Sequence, residues 1–144
     1  MHRSVTLNSF ARGEDAALLA LRFAVGAFLI YGVWDNIIDA ARMQEFVIFL
    51  RQSRFPAPEW MAPVSVWVQF FAGVSFVLGI FVRWGGLLCA LNFLVALVMV
   101  DRFAGVRGAF PALCLMLIGV YLATRGGGRF AIDRLFDSRS SSRL

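Results

Sequence analysis

Three polar side chains stand inside long apolar stretches of this sequence: Arg22, Gln69 and Asn92. An arginine in an apolar medium is costly unless it snorkels to water or finds partners. Arg22 therefore reads either as a snorkelling cation or as an interior one. An interior Arg22 would hold an anionic ligand, a quinone carbonyl or a partner side chain. Gln69 and Asn92 have two readings as well. They can cross-link helices by hydrogen bonding, or they can face one cavity with Arg22 and make a polar ligand pocket.

Other residues capable of chemistry are poorly arranged for it. Cys89 and Cys114 lack the Cys-x-x-Cys spacing of a thioredoxin-like site. Counted along helices, they lie roughly 7–8 Å apart in depth alone, a poor fit to a disulfide, so both read as small apolar fillers. His2 is the single histidine, which excludes a haem held by two histidines of this chain, and no zinc site is recognisable. Met43, Met61 and Met99 read as packing rather than as soft-metal ligands. Gly126-Gly127-Gly128-Arg129-Phe130-Ala131 has the form G-x-G-x-x-A, but a dinucleotide site needs it between a strand and a helix. Here it follows an apolar segment, and the glycines read as a helix stop and hinge.

The elements that must position these residues are membrane helices. From Trp60 to Val100 the chain carries one charge, Arg83, and a bilayer core about 30 Å thick needs roughly 20 apolar residues per helix. The apolar content of 60% points the same way. Backbone groups in lipid must be satisfied internally, so the segments are helices. The expected fold class is an all-α membrane protein, a four-transmembrane-helix bundle. Its spans are expected at about 16–34, 60–82, 84–100 and 108–124, with the break between the second and third at Arg83-Trp84-Gly85-Gly86. Residues 39–52 are amphipathic and too short to span, so they should form an interfacial helix between helices 1 and 2, with Asp39 as its N-cap. Pro63 is expected in the first turn of the second span. Ala16, Ala20 and Ala24, Ser75 and Gly79, Gly86 and Ala90, and Gly119 and Ala123 recur every four residues, the small faces that let helices approach in lipid.

Charge sets the expected orientation. All fourteen basic residues are arginine and the net charge is +5. Arg3, Arg12, Arg83 and the five arginines after Thr124 would share one side, against Arg42, Arg51, Arg54, Arg102 and Arg107 on the other. The positive-inside tendency then puts both termini in the cytoplasm. Residues 1–15 read as a cytoplasmic tail without a cleavable signal, and residues 125–144 as a basic cytoplasmic tail touching anionic lipid. No recognition helix or aromatic platform accompanies the charge, so nucleic acid is not an expected partner.

Taken together, the chain resembles the DoxX family of small four-helix membrane proteins. The resemblance is carried by Arg22-x-x-x-Gly26 followed by Gly32, by Phe55-Pro56-Ala57-Pro58, by Gly79-Ile80-Phe81-Val82-Arg83, and by the glycine-rich close ending in Asp133. It runs from about residue 19 to 136. Gln69 stands where the family frequently has a glutamate, and a glutamine cannot exchange a proton near neutral pH. The resemblance implies association with redox systems. Relatives are linked to a thiosulfate:quinone oxidoreductase and to a membrane complex with a superoxide dismutase and a sulfurtransferase; others accompany metal-binding peptide systems. The expected function is an inner-membrane subunit of a redox-associated complex that anchors partner proteins. The complex would be quinone- or sulfur-linked, and the candidate ligand is a quinone or another small apolar molecule, with Arg22, Gln69 and Asn92 as the pocket. The alternatives are a small-molecule carrier and a purely structural scaffold.

Overall fold

The computed structural model describes residues 13–134. His2, Arg3, Arg12 and the end of the basic tail lie outside the described residues. The described residues form five α-helices: α1 (Glu14–Ile38), α2 (Ala40–Gln52), α3 (Pro58–Leu78), α4 (Val82–Met99) and α5 (Gly105–Arg125), with a short 3-10 turn at Asp101–Phe103. Helices α1, α3, α4 and α5 are each long and apolar enough to cross a membrane. The fold is a four-helix membrane bundle with one short helix between the first two spans. Large apolar side chains such as Phe28, Trp67, Leu91 and Leu117 lie exposed on its outer faces, where lipid replaces water as the solvent.

Asp39 does cap α2, its carboxylate accepting the Ala41 N–H at 2.8 Å. Val47 and Leu50 are buried beneath α2, while Arg42, Gln44, Glu45 and Arg51 are exposed. The short helix thus folds its apolar face onto α3, where Val47, Leu50 and Ala62 form a small core of their own.

Three details differ from the expected outline. Pro58 takes the first-turn position of α3, and Pro63 lies inside the helix. Pro58 lacks an N–H in a place where none is needed. The break between the second and third spans is not at Arg83–Gly86. Helix α3 stops at Gly79, whose φ of +72° and hydrogen bond from Gly79 N to Ser75 O (2.8 Å) make a left-handed helix end. Arg83-Trp84-Gly85-Gly86 is instead the first turn of α4. Third, Ala16, Ala20 and Ala24 are exposed rather than buried in a helix crossing.

The close helix crossings use glycines. A Cβ on Gly26 would stand 2.7 Å from Gly73 O, and α1 meets α3 there. A Cβ on Gly86 would stand 2.5 Å from Ala123 N and 2.7 Å from Gly119 O, and α4 meets α5 there. The Gly86–Ala90 and Gly119–Ala123 pairs are therefore two sides of one interface. The helices pack in the order α1, α3, α4, α5, most extensively between α4 and α5 and between α1 and α3.

Candidate functional site

The three residues expected to share a pocket separate into two places. Arg22 lies toward the end of the bundle where α1 begins and α5 finishes. Gln69 and Asn92 lie in a cavity toward the opposite end.

Arg22 is 1% exposed and does not reach the headgroups. Its Nε donates to Phe76 O at 3.1 Å, and its Nη1 donates to Gly127 O. Phe76 is in the last turn of α3, where carbonyls have no intrahelical partner and a cation meets the negative end of the helix dipole. Gly79 is required twice over at this point. Its φ is positive, and a Cβ would stand 2.5 Å from Arg22 Nη2.

The glycine-rich segment closes the same end. After Gly126 the chain turns back, and the Asp133 carboxylate accepts the N–H groups of Phe81 (2.7 Å) and Val82 (3.1 Å). Those are amides at the start of α4, so Asp133 caps a helix from fifty residues away in sequence. Asp133 N in turn donates to Gly79 O at 3.1 Å. Arg83 binds the last turn of α5 through Ala123 O (3.3 Å) and Thr124 O (2.7 Å). Arg125 pairs with Glu14, and Arg129 lies 3.8 Å from Asp15. Segments carrying three of the family-like motifs thus meet in one latch, whose bonds are all internal to the protein.

The cavity is different in character. It has a volume of about 400 Å³ and lies between α2, α3 and α4, walled by residues such as Phe46, Phe49, Leu88 and Leu91. Within these apolar walls sits one polar cluster. Ser65 Oγ donates to Asn92 Oδ1 at 2.9 Å, and Gln69 Nε2 donates to Ser65 Oγ at 3.2 Å. Ser65 was not among the expected residues, although its position four before Gln69 puts both on one helical face. On a 1.5 Å rise the cluster lies about 10–16 Å along α3 from its start, well within a bilayer core. These bonds leave the Asn92 amide N–H groups and one Gln69 N–H as donors for a carbonyl oxygen.

Asp101 also lines the cavity. It stands just beyond α4, and burial pushes its carboxyl above the ordinary carboxylate range. Among the described lining residues it alone carries a titratable group. In sequence it looks like one charge of an exposed Asp101-Arg102 pair, so nothing local marks it. The two cysteines are unpaired thiols, and buried Cys89 packs its sulfur 3.7 Å from Leu115 O.

Four long apolar helices define a multi-pass membrane protein. A sequence profile of DoxX matches residues 17–102, more than half of the chain. The chain belongs to the DoxX family, membrane proteins often associated with redox-related complexes. The match takes in Arg22, the Gly79 turn and the cavity, and ends before α5 and the glycine-rich segment. Neither curated proteins nor solved structures gave a match.

Proposed function

We propose that this chain is the membrane subunit of a redox-associated assembly and that its cavity holds a small apolar ligand with a carbonyl head, of quinone type. The observation that supports this most is the Ser65–Asn92–Gln69 cluster, a set of amide donors in a groove lined by apolar side chains. Its donor set suits a quinone carbonyl, and the volume of about 400 Å³ falls within the range of small-ligand sites. A quinone supplies two-electron chemistry when bound. The chain's own residues would position the ring, with Asn92 and Gln69 donating to an oxygen and Phe46, Phe49 and Leu91 excluding water. Neither amide can move a proton, so Asp101 is the group on the cavity wall fit for that task. Electrons would come from partner proteins held by this subunit. Arg22 serves the site at a distance by fixing the bundle around it. The excess of arginines at the terminal end supports an inner-membrane orientation with both termini in the cytoplasm.

The test is a titration of the purified chain in detergent with decylubiquinone, followed by quenching of tryptophan fluorescence. Saturable quenching is expected, with Asn92→Leu and Gln69→Leu each weakening it at least ten-fold, as an amide–carbonyl bond in a dry site requires (about 1.4 kcal/mol). Quenching that never saturates, or that is identical in the variants, would reduce the cluster to an interhelical cross-link.

A further inference from the structure

A second cavity, of about 740 Å³, lies at the terminal end between the α3–α4 turn and the glycine-rich segment. Its chemistry is the opposite of the first. Arg83, Arg125 and Arg134 line it together with Phe81, Trp84 and Ile132. From this arrangement we infer a binding site for an anionic phospholipid, with the headgroup phosphate against the arginines and the glycerol and first acyl carbons against the aromatic wall.

The electrostatics are one-sided. The acid on the lining, Asp133, already has both oxygens engaged by the amides of Phe81 and Val82. Arg83 is held in place from behind, because its Nη1 donates to Ala123 O and Thr124 O. Among the described residues no hydrogen bond engages its Nε or Nη2, the planar edge that matches two phosphate oxygens at once. Arg125 is steadied by an ion pair with Glu14, which leaves Arg83 and Arg134 as the lining guanidinium groups without a carboxylate partner among the described residues. The guanidinium groups are thus partly pre-positioned rather than swinging freely, which lowers the entropic cost of holding an anion.

The location selects a lipid over a free anion. Phe81 and Trp84 flank the first residue of α4, Val82, and are 68% and 66% exposed. Large exposed aromatics at the end of a membrane helix sit at headgroup level. Phe81 takes a φ of +51° in a turn held by the bonds of its own and the Val82 amide to Asp133. An inorganic phosphate would use the arginines and leave this apolar wall without a partner. A phospholipid uses both, and basic pockets beside membrane helices suit such headgroups.

Native mass spectrometry of the full chain in mild detergent tests the assignment, with phosphatidylglycerol and phosphatidylcholine of identical acyl chains as probes. Phosphatidylglycerol should be retained in preference. Arg134→Gln should reduce that retention about five-fold, and the double variant Arg83→Gln/Arg134→Gln further, at roughly one such step per arginine. Arg102→Gln removes the same charge at the far end of the bundle, where the guanidinium stacks on Phe103 at 4.5 Å, and should leave retention unchanged. Equal loss in Arg102→Gln would mean a diffuse charge effect and overturn the site. Equal retention of phosphatidylcholine would overturn it too. Displacement of phosphatidylglycerol by excess inorganic phosphate would replace the lipid with a free anion. The Arg134 side chain makes no bond that the fold uses among the described residues, so the single variant decides the matter even if the double variant fails to fold.

Discussion

Replacing Arg22 with leucine should destabilise the bundle without touching the ligand cavity. The guanidinium is 1% exposed and donates to two backbone carbonyls, Phe76 O and Gly127 O. Leucine leaves both without that partner. A hydrogen bond to a charged group contributes about 1.5–3 kcal/mol, so the gross loss is about 3–6 kcal/mol. Leucine also relieves the desolvation that the buried cation suffers, which offsets part of the loss. A net destabilisation of about 3 kcal/mol is expected, a large share of the marginal stability of a small domain. Arg22→Lys should fall between the two, because a single ammonium cannot reach two carbonyls that meet different edges of the guanidinium. The assay is reversible unfolding in mixed detergent micelles, followed by circular dichroism, with size-exclusion chromatography to confirm a single species. Decylubiquinone titration of the folded fraction supplies the second readout. Wild-type stability in Arg22→Leu would refute the latch. A folded Arg22→Leu with normal stability but no quinone binding would return Arg22 to the ligand site.

The helix crossings and the cavity carboxylate give two further expectations. Gly86→Ala should cost about 1–3 kcal/mol by overpacking, since the new Cβ would stand 2.5 Å from backbone Ala123 N, whereas Gly32→Ala, with nothing within 4 Å, should be neutral or stabilising by up to about 1 kcal/mol. Paired unfolding midpoints decide between them, and equal effects would contradict the crossing. For Asp101, burial raises the folded-state pKa, so the folded protein binds the proton more tightly than the unfolded chain. Its contribution to stability is fully present below the ordinary carboxylate range and is lost as pH rises through the raised value. Asp101→Asn should remove this component from a stability–pH series, and an unchanged series would mean that the carboxyl is as well solvated folded as unfolded.

What was legible in the sequence follows the range of each interaction. Span number and the amphipathic α2 depend on hydropathy within one segment, and both were readable, down to the Asp39 cap. The Gly86–Ala90 and Gly119–Ala123 spacings were visible too, but not that they face each other. Ala16, Ala20 and Ala24 have the same spacing and face outward, because spacing does not say which side of a helix has a neighbour. The α3–α4 break was misplaced for a similar reason. Arg83 and the double glycine look like a turn, yet the turn is made at Gly79 and stabilised by Asp133, from the far end of the chain. Arg22 has backbone carbonyls as partners, and no side-chain pattern could announce them. Gln69 and Asn92 were singled out by polarity, and the fold joins them through Ser65. Asp101 gave no local signal, since its burial depends on where the cavity lies.

The latch has a consequence for the order of assembly. Gly127 and Asp133 emerge from the ribosome after all four spans have been made, yet they bind Arg22 of the first span and the turn between the second and third. Until then Arg22 Nη1 and the leading amides of α4 lack these partners. Insertion of the helices and closure of the bundle are therefore separate events, and the second is governed by the final stretch of the chain. A stop codon placed after Thr124 would yield four inserted helices joined at their glycine crossings but never latched at this end, and quality-control proteases at the membrane surface would meet the open end first.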